Sequence, residues 1–543
     1  MDGRRETIVG LASAGLVLAG ASAVAGRFGV SDEAVASLGI GLAVLMAVAI
    51  ALLSRSMRVP VYRSVQAGLS PFAHSALVVV IVVGAVLTWP EAMRQGALPA
   101  ILAALALHAG WSAPLLLKTG GAVFADALYG RFPSRLLGGV VALALAGAIA
   151  VLTLMAAQAA LASLSSGFGL PAPVARWLVL GAVAFILLPG GMAGLAGVAG
   201  LAAVLGGAGW LSPLIALADP DMTLDPALRS QLVPHLGGNE MAPFTLAGWS
   251  LAAAGILVAL DTAQPASSPR LARRALLAGL VAAPLMVAGA WFGTALVERR
   301  TDALFTTPVA QLPATILSDR AQEQVVFCDR PHADARTLER ACERLRQDGR
   351  LPTGAITIQN PGHGRWMATV LDLPAVTGVL RDLAGPSILI LFAALLLHGA
   401  CGLLVHDGLY RLLGRQGTAS GRLALHRAAS LGLGWAAIQP AGFWMSGDGP
   451  RVVMSSLSLL AALPLPLLLL GLWSRVDWKA ALCGVSAAGG VIAAVWSGHV
   501  APELSVIAAP LATLGAGALA ALIVPAARPS TGAEPAVHAG DSA

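Results

Sequence analysis

The stretch LLGGVVALALAGAIAVLTLMAAQAALASL (136–164) decides the fold. It carries no charged side chain and no strand-like alternation, and about 20 apolar residues suffice to cross a bilayer as a helix. It therefore reads as a transmembrane helix, long enough to tilt or to continue along the surface. The same texture recurs on both sides. Fourteen candidate spans follow, at 7–26, 35–54, 72–90, 97–117, 136–164, 175–191, 192–218, 242–261, 274–297, 383–405, 423–445, 452–473, 480–498 and 504–526. Only Pro189-Gly190-Gly191 separates the sixth from the seventh.

Composition agrees with that reading. Of the 543 residues, 57% are hydrophobic and only 11% charged, and the mean hydropathy is +0.79. Soluble domains run near 25% charged, so this chain lacks the polar surface to coat a water-facing globule. Long apolar runs without period-2 alternation exclude an outer-membrane barrel. The expected class is an all-α polytopic membrane protein with 13–14 transmembrane helices.

The net charge of +6 does not imply nucleic acid, because the basic residues gather in short loops on one side, as the positive-inside rule requires. One set of loops holds Arg55, Arg58, Arg63, Arg131, Arg135, Arg411, Arg415, Arg475 and Lys479, while the opposite set holds Arg27, Arg94, Arg176, Arg229 and Arg451. This asymmetry predicts a bacterial-type inner-membrane protein with a cytoplasmic C-terminus. The first span, preceded by Arg4-Arg5 and followed by small residues, also fits a signal peptide. Residues 527–543 read as a disordered cytoplasmic tail.

Residues 298–382 are polar and fall outside the membrane in this topology. They contain Cys328 and Cys342, the two cysteines beyond the spans, and an oxidising compartment predicts that they form a disulfide. No Cys/His metal spacing occurs, so no metal ligands are assigned. Nucleotide-binding, zinc-protease and Ser/His/Asp signatures are absent too, and the chain is not expected to be an enzyme. Intramembrane charge is scarce. His108 and His398 read as imidazoles bonded to backbone carbonyls, and His406-Asp407 as a cap at the membrane edge. Glycine or proline interrupts spans at Ser70-Pro71, Pro189-Gly190-Gly191 and Ala254-Gly255, the kind of break where transporters place their sites.

Specific strings sharpen this. VYRSVQAGLSPFAHS (61–75), FADALYGRFPSR (124–135), AAQAALASLSSGFGL (156–170) and PGGMAGLAGVAG (189–200) occur in this order. AAGILVALDTAQPASSPRLARRA (253–275), HDGLYRLLGR (406–415) and LPLLLLGLWSRVDWKAALCG (465–484) follow. Together they resemble the sodium:solute symporter family, closest to its cation/acetate symporter branch. The resemblance implies leucine-transporter-like inverted five-helix repeats, here 72–218 and 242–473. The second repeat would contain the external insertion 298–382. Residues 1–34 and 35–71 would precede the repeats, and two further helices (474–526) would follow them. It also implies secondary transport of a small organic solute, a monocarboxylate such as acetate, with sodium as the coupling ion and no other cofactor. Ser75, Gln158 and Gly255 become the candidate substrate-binding residues.

The positions where that family keeps its sodium ligands are aliphatic here. VVVIVVGAV (78–86) stands for the polar part of the first core helix, and no hydroxyl occurs between Ser387 and Tyr410. Transport insensitive to sodium is therefore expected. The alternative is a transport-inactive homologue acting as a subunit or sensor beside a membrane partner.

Overall fold

The computed structural model describes residues 32–55, 59, 62, 71–88, 91–119, 124–213, 243–260, 269–306, 325–327, 356–358, 367, 370–371, 373, 375–413, 417–440 and 448–523. The span expected at 7–26, the tail 527–543 and both Cys328 and Cys342 lie outside these residues.

The described chain is a helical bundle. Helix α1 (Asp32–Leu53) is followed by α2 (Pro71–Thr88) and α3 (Glu91–Leu107), which passes through a π-helical turn (His108–Ser112) into α4 (Ala113–Thr119). A short helix α5 (Phe124–Arg131) leads to α6 (Arg135–Phe168) and α7 (Ala172–Leu211). Then come α8 (Pro243–Ala259), α9 (Pro269–Thr306) and α10 (Ala375–Gly402), which continues as a π-helix (Leu403–Tyr410) into α11 (Arg411–Leu413). The chain closes with α12 (Ala419–Ala437), α13 (Gly449–Ala462), α14 (Pro464–Leu472), α15 (Trp478–Trp496) and α16 (Pro502–Ile523).

Local chemistry sets several of these boundaries. Ser134 caps α6 by accepting from Leu137 N, and the helix stops where Gly169 turns left-handed. Thr418 and Asp477 cap α12 and α15 in the same way. Within α7 the backbone leaves the helical region at Gly191 (φ 54°, ψ −136°), two residues after Pro189. A Cβ there would also overlap Tyr62, so both conformation and space require glycine. The long apolar run thus forms two membrane-length segments joined by a kink.

Eight helices among the described residues are long and apolar enough to cross a membrane, and three shorter apolar ones accompany them. α12 is not among the eight. Its first half carries Arg422, His426 and Arg427, which lower its hydropathy although the helix runs for 19 residues. Centre and periphery separate clearly. The apolar window is 83% buried in Thr377–Leu413 and 78% in Gly449–Leu472, against 33% in each of the last two helices. Trp177, Phe185, Leu504, Leu519 and Ile523 stand exposed on the outside, where acyl chains rather than water suit them.

The polar segment begins later and ends earlier than its composition suggests. Helix α9 continues to Thr306 and α10 starts at Ala375, so helices enter the expected insertion from both sides. Between them Val325–Phe327 pairs antiparallel with Ile356–Ile358.

Candidate functional site

Five helices converge around a small, partly open apolar cavity. α2 supplies Ala85 and Thr88, α6 Leu152 and Met155, α8 Ile256, α10 Phe392, and α13 Val453 and Leu457. Thr88 is the one hydroxyl on this wall, and it donates to Gly84 O of its own helix at 2.7 Å. Nothing else in the lining offers a polar contact. An ion entering this space would lose its hydration without replacement, whereas an apolar body loses nothing.

Close helix contacts frame the cavity. A Cβ on Gly84 of α2 would lie 2.5 Å from Phe392 Cβ of α10. A Cβ on Gly255 of α8 would overlap the Leu460 carbonyl of α13. These glycines let the backbones approach, as small residues do throughout membrane bundles. A larger, partly open apolar cleft lies between α1, α6, α7 and α10. It abuts the peripheral helix α1, while the central cavity draws its wall from both halves of the chain.

The three candidate residues do not meet in one place. Ser75 lies thirteen residues before Thr88 on α2, about 20 Å along the axis, beside Gly279 of α9. Gln158 sits one turn beyond Met155, and its Nε2 donates to Ala437 O (3.0 Å) and Gln439 O (2.7 Å) at the end of α12. Gly255 adjoins the cavity as the neighbour of Ile256. Gln158→Ala is expected to cost about 1 kcal/mol, since interhelical hydrogen bonds in membranes contribute that order. Thermal unfolding in detergent measures it, and an unchanged midpoint would refute the assignment.

The implied sodium position does not fit its residues. The side chains of 76–83 on α2 are buried aliphatics, as are those of 388–397 on α10 apart from Phe392. Sodium needs several oxygen ligands, and neither stretch has a side-chain oxygen. Among the described residues no group of three His, Cys, Asp or Glu is placed to hold a metal.

Polar side chains gather elsewhere. His398, His406, Asp407 and His426 are all buried, Asp407 to 1% exposure. His406-Asp407 is therefore not a water-facing cap: the π-helix around it turns both side chains into the protein. Tyr62 is buried beside them. Burial pushes its hydroxyl up to about 12, so it stays protonated and donates to Leu187 O at 3.0 Å. The sequence hid this cluster because its members come from three separate segments. Only the spacing Asp407–Arg411, one helical turn, hinted at a buried charge with a partner.

No known family pattern matches the chain, and no curated protein does. Among solved structures it is similar to a Na+-coupled sialic acid symporter in a substrate-bound outward-open state. The TM-score is 0.62 at 13% identity, covering 90% of this chain and 97% of that one. A manganese transporter of Eremococcus coleocola aligns over 86% of this chain and 94% of its own, at 14% identity, but its TM-score of 0.37 is too low to argue from. At 13% identity the likeness to the symporter structure is one of fold, an all-helical membrane-protein architecture.

Proposed function

We propose that this chain is a secondary active transporter of the inner membrane, with its C-terminus in the cytoplasm. It moves a small organic solute with an apolar body through the central cavity, and sodium is not the coupling ion. The observation that carries this reading is the cavity wall, apolar except for a Thr88 hydroxyl bonded to its own helix. The cation/acetate branch suggests a monocarboxylate. An acetate anion wants a cation or several donors, and this wall presents none, so a neutral form or a larger apolar group suits it better. In this reading Gly255 sets the cavity wall and Gln158 holds α12 in place. The packing of Gly84 on Phe392 favours a second reading, a transport-inactive homologue serving a membrane partner, in which the crossing never opens.

Uptake of labelled acetate and benzoate into proteoliposomes, each taken as the excess over protein-free liposomes because the neutral acids cross lipid unaided, separates these readings. Benzoate is expected to enter faster than acetate, and replacing sodium by choline is expected to leave both rates unchanged. Sodium-dependent acetate uptake would overturn the proposal. Absence of uptake and exchange for both probes would favour the transport-inactive homologue.

A further inference from the structure

The apolar cleft between α1, α6, α7 and α10 is partly open. Ala47 of α1, Leu178 and Ala202 of α7, and Ile390 and Leu391 of α10 form much of its wall. Residues that flank this wall are turned outward: Leu45 of α1 and Phe185 of α7 stand 63% and 59% exposed. In a chain that crosses a membrane, surfaces of that kind meet acyl chains. The cleft is therefore continuous with the lipid-facing side of the protein, and whatever fills it comes from the bilayer. Left empty, its walls would forgo dispersion contacts, and apolar walls offer water no partners.

The length of the cleft suits one leaflet. Its lining runs from Leu178 to Ile186 on α7 and from Leu383 to Leu391 on α10, about 12 Å along each helix. The hydrocarbon of one leaflet is about 15 Å deep, half of the bilayer core.

Ser387 of α10 is the one polar residue in the lining. Its hydroxyl makes no hydrogen bond among the described residues, whereas Ser250, Ser430 and Ser458 each donate to a carbonyl one turn back. The neighbouring helix α6 gives its depth. A Cβ on Gly385 would lie 2.9 Å from Ser163 Oγ, and one on Gly167 would meet Asp382. Helix α6 ends at Phe168, so Ser387 lies about 10 Å inside that end of the bundle. The headgroup zone on each face of a bilayer is about 5–8 Å thick, which puts the hydroxyl near the boundary between headgroups and hydrocarbon. The ester carbonyls of a phospholipid lie at this level, and they accept hydrogen bonds.

We propose that this cleft binds one phospholipid of the adjacent leaflet, with an acyl chain between α1 and α10 and an ester carbonyl accepting from Ser387. Such binding requires no transport by the protein. Helix α10 separates the cleft from the central cavity: Ile390 and Leu391 border the one, and the next residue, Phe392, borders the other. A seated chain therefore supports α10 from behind the cavity. Because the cleft exists only in the folded protein, its occupant stabilises the fold.

The test uses the full-length protein in nanodiscs of phosphatidylglycerol, doped with the same lipid carrying a photoreactive group midway along one acyl chain. Crosslinks are expected at Ile390 and Leu391 several-fold above those at Leu519 of α16, an exposed residue that meets bulk lipid. Ala47→Phe, which fills the cleft, is expected to remove that excess, and Ser387→Ala to reduce it several-fold. Labelling at Leu519 should stay unchanged in both. A photoreactive fatty acid in place of the phospholipid distinguishes the two sources of an acyl chain, and it should label the cleft only weakly. Delipidation in detergent should lower the unfolding midpoint, and added phosphatidylglycerol should restore it in the parent but not in Ala47→Phe. Equal labelling of Ile390 and Leu519 would overturn the proposal, and so would a fatty acid that displaces the phospholipid. Should Ala47→Phe fail to fold, the labelling of the unsubstituted protein and of Ser387→Ala still decides.

Discussion

Gly255→Ala is expected to destabilise the protein by about 3 kcal/mol and to abolish solute uptake, although it adds one methyl group. A Cβ at this position would overlap the Leu460 carbonyl, and a main-chain atom has no rotamer by which to step aside. Helix α8 would have to move away from α13 as a body. Ile256 and Leu457 lie on the same two helices and face the cavity, so that movement deforms the site together with the fold. Gly147→Ala is the matched control. Nothing lies within 4 Å of a Cβ there, and alanine favours a helix over glycine by about 1 kcal/mol. Thermal unfolding in detergent, run beside benzoate uptake, compares the two. A Gly255→Ala protein as stable as its parent would show that the two helices are not in contact as described.

The helical bundle was legible because a bilayer asks for something a sequence displays openly, namely uninterrupted apolar length. The break at Pro189-Gly190-Gly191 could be read for a similar reason, since a proline and two glycines weaken a helix wherever they fall. The limits of the polar segment were harder to read, because a helix leaving the membrane needs no apolar residues to continue, as α9 does to Thr306.

The cavity was not legible at all. Leu152, Met155 and Val453 differ in no way from core residues until five helices are placed around them. Gln158 drew attention as a polar residue in an apolar run, yet its hydrogens belong to the carbonyls at the end of α12. The histidine cluster was hidden for a different reason. His398 and His406 meet His426 across the boundary between α10 and α12, and no local pattern encodes that meeting. The stretches 78–86 and 388–409 carry no hydroxyl, and the expectation that sodium does not couple transport rests on that reading.

Arg131→Met is expected to cost about 3 kcal/mol, the order expected when several charge-assisted hydrogen bonds are lost at once. In the sequence Arg131 looks like one more positive charge in a loop. In the fold it ends α5 and reaches across to the close of α14, more than 300 residues later. Its Nε donates to Gly471 O at 2.6 Å, and one Nη to Trp473 O (2.9 Å) and Val476 O (3.1 Å). The last carbonyls of a helix have no partner within it, and they carry the negative end of its dipole. Near a membrane such carbonyls are costly to leave bare, and a guanidinium suits them in both charge and shape. The guanidinium also lies over the Phe132 ring, which helps to orient it. Lysine keeps the charge but not the planar fork, so Arg131→Lys should recover less than half of the loss. Thermal unfolding of the two variants side by side decides the point. If lysine restores full stability, charge alone holds α14 to α5, and the geometry of the guanidinium contributes nothing.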